Sequence, residues 1–301
     1  MSTRITTGMV QRNVLADLNR VNDALTRSHM KISSGKEITR PSDDPFNASR
    51  ALHRRESLEA TQQFQRNVSD ARSWQEISEQ ALGTITSSVE RVKELLIQGG
   101  SDTLDQAGRD GVKAEIDQLI EGIKQEANAS MGGRYVFSGT KTDTPPYQAG
   151  ANDAFQGNTD PMVRALGPGV SLPINVVGET VLGNGQASGD NKLLHVLRDI
   201  SDHLAAGDTA SLRATDLTRL DGNLDQLLGV RAGNGALSNR LEAAGERLDQ
   251  IEETTTEQLS EIQDADIAKT LIDFNSQSAA YQAALKAGAS IIQPSLMDFL
   301  R

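Results

Sequence analysis

Both ends of the chain carry an apolar stripe with heptad spacing, and this pattern limits the folds that the sequence can adopt. From Ile267 to Phe299, apolar or small residues recur at alternating intervals of four and three. The same alternation runs from Val14 to Ile32. Such spacing is typical of helices that pack side by side in a coiled coil. We therefore predict a long helix at each end of the chain.

Both terminal stripes are poor in large apolar side chains, since serine, glycine and alanine hold many of their positions. Pairing them buries little apolar area against a backbone ordering cost of roughly 1–2 kcal/mol per residue. We expect firm order only when they pack against copies of themselves or related chains, although a surface helix on its own core can show similar spacing. The predicted assembly residues are Val14, Leu18, Val21, Leu25, Ile32, Ile267, Leu271, Phe274, Tyr281, Leu285, Ile292, Leu296 and Phe299.

The composition favours a helical bundle over an enzyme core. Among 301 residues only 3% are aromatic and 37% are hydrophobic, which suits long, thin bundles with an aliphatic stripe. A net charge of −11 argues against a nucleic-acid partner, because phosphate binding depends on basic patches. No apolar run approaches the roughly 20 residues that span a membrane, so we predict no membrane partner. No secretory signal is visible, and cysteine is absent.

Helical patterns fill the first half of the chain. The first helix is predicted over residues 4–33, with Gly35 as its stop. A kinked loop between predicted domains, the junction loop, follows and contains Pro41, Asp43, Asp44 and Pro45. Asp44 with Pro45 forms a good N-cap and first-turn pair. A second helix to about Gln98 and a third that ends before Gly132 complete this half.

The middle of the chain changes character between residues 134 and 189. It is rich in Gly, Pro, Asn and Thr, and its short apolar runs at 135–137, 162–163 and 174–177 are typical of strands. Helical spacing resumes at Leu193. The Gly-Asn-Gly sequence at 233–235 resembles a turn, but the leucine stripe continues beyond it in phase, so we predict an uninterrupted helix at a cost of about 1 kcal/mol per glycine.

These segments predict a mainly α fold with an inserted β domain, in a nested order. Residues 1–40 with 264–301 are predicted to form a terminal coiled-coil domain. Residues 41–133 with 190–263 are predicted to form a helical rod domain. Residues 134–189 are predicted to form a β-rich inserted domain.

The sequence predicts no catalytic residue, no cofactor site and no metal site. Gly35-Lys36 lacks the other residues of a phosphate-binding loop. His195, Asp199 and His203 are spaced by four and could clasp a metal ion, although this pattern more often decorates a solvated helix face. The chain is therefore not predicted to be an enzyme.

Several blocks of sequence resemble the bacterial flagellin superfamily. Residues 31–36 (KISSGK) and 41–45 (PSDDP) are similar to the stretch that follows its first helix. Residues 133–142 (GRYVFSGTKT) resemble a segment that separates its hook–filament junction members from flagellin proper. Residues 264–268 (DADIA) and 295–300 (SLMDFL) are similar to the junction members' C-terminus.

This resemblance implies a structural role outside the cell. It implies a subunit, exported through the flagellar type III apparatus, that forms a ring of identical copies between hook-associated protein 1 and the flagellin filament. In such a ring the terminal coiled-coil domain (residues 1–40 with 264–301) would line the inner tube, and residues 134–189 would form the outer domain. It also implies a cytoplasmic export chaperone that covers the C-terminal helix before assembly. Flagellin, the major filament subunit, is the alternative within the superfamily.

Overall fold

The structure is a computed structural model that describes the backbone of residues 7–299 and the side chains of residue 9 and residues 12–289. Within this range the chain is mainly helical. The helices are α1 (Thr7–Ser34), α2 (Pro45–Gly99), α3 (Gln106–Ala127), α4 (Gly178–Val181), α5 (Leu193–Ala206), α6 (Thr209–Ser211), α7 (Leu217–Gln263) and α8 (Ile267–Phe299). The strands are β1 (Ser130–Met131), β2 (Arg134–Tyr135), β3 (Val163–Gly167) and β4 (Val170–Pro173). A 3₁₀ turn covers Gln186–Ser188 and a π-helical turn covers Leu212–Asp216.

The predicted end of the first helix is confirmed. Helix α1 ends at Ser34, and Gly35 adopts a φ of +69°, which glycine reaches without steric cost. Its N–H donates to the Lys31 carbonyl at 2.9 Å, as expected for a helix C-terminus. Residues 4–6, where we predicted the helix to begin, lie outside the described residues.

Helix α7 runs through the Gly-Asn-Gly sequence, as predicted. Asn234 is buried there, and its amide donates to the Gln75 carbonyl of α2 at 3.3 Å. Leu227 and Leu241, on either side of the glycines, are both buried. The continuous apolar stripe therefore outweighs the low helix propensity of two glycines.

The strands are shorter than predicted and partly displaced. They form two separate antiparallel hairpins, β1–β2 and β3–β4. The run at 135–137 is a strand only up to Tyr135, and the run at 174–177 is not a strand. In the second run, the Asn175 side-chain oxygen accepts the Met162 N–H at 2.7 Å in place of a backbone carbonyl, so the β3–β4 ladder does not continue there. The apolar residues in these two runs therefore indicated burial in the core rather than pairing in a sheet.

The chain divides into two compact units. One contains residues 1–60 and 251–301, and the other contains residues 61–250. In the second unit the core holds Ile116 and Ile120 of α3 together with Leu197 of α5. Tyr147 and Ile174 from the 134–189 segment belong to the same core. The segment therefore shares its core with the helices that flank it, and the nested three-part division stays a prediction.

Candidate assembly surface

Helices α1 and α8 of the first unit pack against each other in antiparallel directions. Ser28 Oγ donates to Gln277 Oε1 at 2.7 Å. Nearer the start of α1, Val14 approaches Gly288 so closely that a Cβ on that glycine would lie 3.2 Å from Val14 Cγ1. Gly288 is therefore a point of close helix approach, where a larger side chain would push the helices apart.

The stripe of α8 that meets α1 differs from the predicted one. It consists of buried and half-buried residues at alternating intervals of four and three: Thr270, Phe274, Gln277, Tyr281, Ala284 and Gly288. Phe274 and Tyr281, both predicted, lie on this stripe. Ile267, Leu271 and Leu285, also predicted, remain 48%, 48% and 44% exposed. The pairing within the chain thus uses two aromatic residues among polar and small ones, and it leaves three large aliphatic side chains about half exposed.

The predicted assembly residues of α1 lie closer to the contact between α1 and α8 than the exposed residues of α8 do. Val14, Leu18, Val21, Leu25 and Ile32 are all half-buried, and none is fully covered. Between them Leu15 points away and is 59% exposed.

Sequence reasoning missed Ile272, an apolar residue of α8 that is 69% exposed. It falls outside the heptad pattern, but its place beside Leu271 could have indicated a wider apolar face. Ile292, Leu296 and Phe299 lie outside the described side chains. Full burial of a Leu or Ile side chain contributes about 1.5–3 kcal/mol, so the exposed residues hold binding energy that the pairing within the chain does not use.

A short backbone bridge joins the segment that follows the C-terminus of α1 to the segment that precedes the N-terminus of α8, and no sequence pattern indicated it directly. The Glu37 N–H donates to the Gln263 carbonyl at 2.8 Å, and the Ala265 N–H donates to the Gly35 carbonyl at 2.9 Å. Lys36 and Asp264 face each other between these bonds as an antiparallel bridge. The residues that interrupt the helical pattern on both sides of this bridge are the sequence signal that could have indicated it.

The predicted junction loop is built on two aspartates. Asp43 Oδ2 accepts the Arg40 N–H at 2.8 Å and the Thr39 hydroxyl at 3.0 Å. The hydrogen bond from the Arg40 N–H has the largest effect and the one from Thr39 the next largest, and together they lower the pKa of Asp43. Pro41 and Pro45 are both exposed.

Asp44 caps helix α2, as predicted. Its Oδ1 accepts the Asn47 N–H at 3.0 Å, and Pro45 takes the first helical position, where the missing N–H costs nothing. The Asn47 N–H, together with the Asn47 side chain, holds the pKa of Asp44 below its usual value of 3.8.

We expect Asp44→Ala to fray the first turn of α2. Amide hydrogen exchange measured by mass spectrometry should become faster at Phe46 and Asn47, because Asn47 loses its acceptor. Asp44→Ser is the control, since a hydroxyl can cap the same turn. The native protection should also fall on acidification through the lowered pKa of Asp44, because the carboxylate is the form that accepts these bonds. Unchanged exchange in Asp44→Ala would contradict the assigned cap.

The histidine pattern on α5 does not converge on one point. His195 Nε2 lies 3.3 Å from Asp199 Oδ2, whereas His203 Nδ1 lies 2.6 Å from Asp216 Oδ2. Within the described part of the chain, no group of three or more His, Cys, Asp or Glu side chains could hold a metal ion. Nor is any helix there long and apolar enough to cross a membrane.

Comparison with known families matches both ends of the chain. The N-terminal helical region of bacterial flagellin matches residues 5–142, and the C-terminal helical region of bacterial flagellin matches residues 217–300. These two regions include both terminal helices and the junction loop.

Two relatives cover nearly all of the chain. Flagellar hook-associated protein 3 of Escherichia coli strain K12 is 25% identical in an alignment of 276 positions, gaps included, that covers 85% of this chain and 87% of the relative. Flagellin of Bacillus subtilis strain 168 is 28% identical in an alignment of 310 positions that covers 99% of this chain and 100% of the relative.

Solved structures share the fold. Flagellar hook-associated protein 3 of Legionella pneumophila superposes with a TM-score of 0.60 at 16% identity, over 71% of this chain and 98% of that one. FlgL of Bacillus cereus superposes with a TM-score of 0.59 at 22% identity, over 69% of this chain and 99% of that one.

Proposed function

Because the chain belongs to the bacterial flagellin family and is a structural protein of the flagellum, we propose that it forms the ring that joins hook to filament. The observation that carries this proposal is the apolar face of α8, with Ile267, Leu271, Ile272 and Leu285 exposed in a single copy. Neighbouring chains in an assembly would cover that face. The role is structural rather than catalytic.

The partners follow from this position. One side of the ring would contact hook-associated protein 1, and the other side would contact flagellin. Copies of this chain would contact one another within the ring. Because a contact between two different surfaces leaves each copy able to bind a further one, such contacts build rings or helical arrays rather than closed pairs.

Export fits the same proposal. An exposed apolar face invites premature association in the cytoplasm. An export chaperone on α8 would cover it until the chain leaves the cell by the flagellar type III route. The weak pairing of α1 with α8 would then give way easily to contacts with neighbours.

Flagellin itself is the second candidate, and its support is the relative from Bacillus subtilis, which aligns with 99% of this chain. The feature that favours a junction subunit is the segment 133–142. Its Val136, Phe137 and Ser138 are all buried, and the Tyr135 N–H donates to the Thr142 carbonyl at 2.7 Å. The segment is therefore a defined part of the fold rather than a variable surface loop.

Deletion of the gene in the source organism tests the proposal. A junction subunit predicts cells whose flagella stop at the hook in electron micrographs, with flagellin released into the medium. Loss of the filament protein itself from the medium, or growth of long filaments by the purified chain alone, would favour flagellin. Cells with normal flagella would contradict both candidates.

A further inference from the structure

The end of helix α7 carries an acidic strip on one face. Glu253, Glu257 and Glu261 are spaced by four residues and are all exposed. Between Arg247 and Lys269 the chain has no basic residue. Like charges four residues apart destabilise a helix by about 0.2–0.5 kcal/mol per pair, so this strip has a small cost in the isolated chain.

The beginning of helix α2 carries a matching basic strip. Phe46, Arg50 and Arg54 are also spaced by four residues and are exposed, with the Phe46 side chain 71% in solvent. The Arg50 guanidinium lies 5.7 Å from the centre of the Phe46 ring. Both strips repeat every four residues, which is about 6 Å along a helix. When the middles of the two strips are aligned, Arg50 therefore faces Glu257, and Arg54 faces a terminal glutamate of the acidic strip.

The two strips do not pair within one chain. The face of α7 that is covered contains Thr255 and Gln263, and Arg55 Nη2 of α2 donates to Gln263 Oε1 at 2.6 Å. Glu257 lies two residues, or about 200°, from Thr255 and so on the opposite face. Among the described side chains, none of the three glutamates of the acidic strip forms an ion pair with a basic residue.

We propose that the acidic strip of one copy docks on the basic strip of a neighbouring copy in the assembled structure. This inference rests on the proposed function, because it assigns one contact between subunits of that assembly. The two strips are different surfaces of the same unit, so each copy can use both at once. Phe46 supplies an apolar anchor beside the charges, as is common at the centre of protein interfaces.

Charge reversal tests the contact in a strain that lacks the gene. The Arg50→Glu/Arg54→Glu chain should lower the number of filament-bearing cells by at least about tenfold, because it brings like charges together. The Glu253→Arg/Glu257→Arg chain should do the same. Expressed together, the two chains should restore filaments, because each reversed strip then meets its complement on the other chain.

The matched control is Glu56→Arg/Glu59→Arg, which changes the charge by the same amount at exposed positions of α2 outside both strips. We expect it to behave like the wild-type chain, and circular dichroism should show native helicity for all variants. Normal filaments from both reversed chains would overturn the proposal. Failure of co-expression to rescue them would also overturn it, because the charges would then act within one chain or on a different partner.

Failure of the proposed function would look different, since the strain that lacks the gene would then keep its filaments, or would lose the filament protein itself from the medium, before any variant is expressed. The strips are then tested in purified protein, where the absence of native cysteine allows a clean cross-link. Under mild oxidation, Arg50→Cys and Glu257→Cys chains, each altered at the middle of its strip, should form a mixed disulfide dimer in preference to either homodimer. Absence of that preference would overturn the contact.

Discussion

Leu271→Asp combined with Leu285→Asp is expected to remove the chain from the flagellum while leaving its fold nearly unchanged. Both side chains are about half exposed in the single copy, at 48% and 44%. Two aspartates there lose few contacts within the chain. In an assembly the same positions would be buried, and an unpaired buried carboxylate is strongly unfavourable. We expect at least about a hundredfold loss of incorporation and no motility.

The measurement compares incorporation with folding. Antibody detection of the chain on sheared flagella reports incorporation, and thermal melting followed by circular dichroism reports the fold. The control is Asn275→Asp with Gln282→Asp, which adds the same charges at exposed polar positions of α8. A large drop in melting temperature for the leucine variant alone would show that these leucines belong to the core of the single chain.

The terminal helices show what a heptad pattern can and cannot predict. Periodicity correctly placed helices at both ends, because apolar spacing depends only on the local helix geometry. It did not identify which side of α8 meets α1. Ser28 lies buried on α1, and its partner is Gln277, so a hydrogen bond helps to set the register. That choice depends on two segments 249 residues apart, which no local pattern contains.

The 134–189 segment shows a different limit of prediction from sequence. Its composition indicated turns and short strands, and hairpins are present. The sequence did not indicate that Tyr147 and Ile174 would enter the helical core. Nor did it indicate the charged cluster of Lys124, Asp153 and Arg198, whose members are 29 and 45 residues apart. Such contacts follow from tertiary packing, which overrides local propensity.

The charged cluster is expected to stabilise the unit of residues 61–250. Lys124 Nζ lies 2.8 Å from Asp153 Oδ1, and Arg198 Nε lies 2.7 Å from Asp153 Oδ2. The side chains of Lys124 and Asp153 are only 2% and 5% exposed. Burial opposes ionisation of Asp153, but the hydrogen bonds from Arg198 and Lys124 outweigh it and lower the pKa of the carboxyl. The ion pairs therefore hold the 150–153 loop against α3 and α5.

We expect Asp153→Ala to reduce the free energy of unfolding by about 3 kcal/mol, because the buried ammonium of Lys124 loses its nearest carboxylate and keeps only Glu121, at 3.5 Å. The single tryptophan, Trp74, is fully buried in this unit, so its fluorescence during urea denaturation reports the effect directly. Asp143→Ala is the control, since Asp143 is exposed, and it should change stability by less than about 0.5 kcal/mol.

The dependence of stability on acidification and a second substitution test why Asp153→Ala destabilises the unit. Because the folded pKa of Asp153 is lowered, its contribution is present at neutral pH and is lost as the pH falls through that folded pKa. The stability gap between wild type and Asp153→Ala should therefore narrow on acidification. Lys124→Met in the Asp153→Ala background should recover part of the loss, because the poorly compensated buried charge is then removed. No recovery would mean that the loss comes from the packing of the loop rather than from the charge of Lys124.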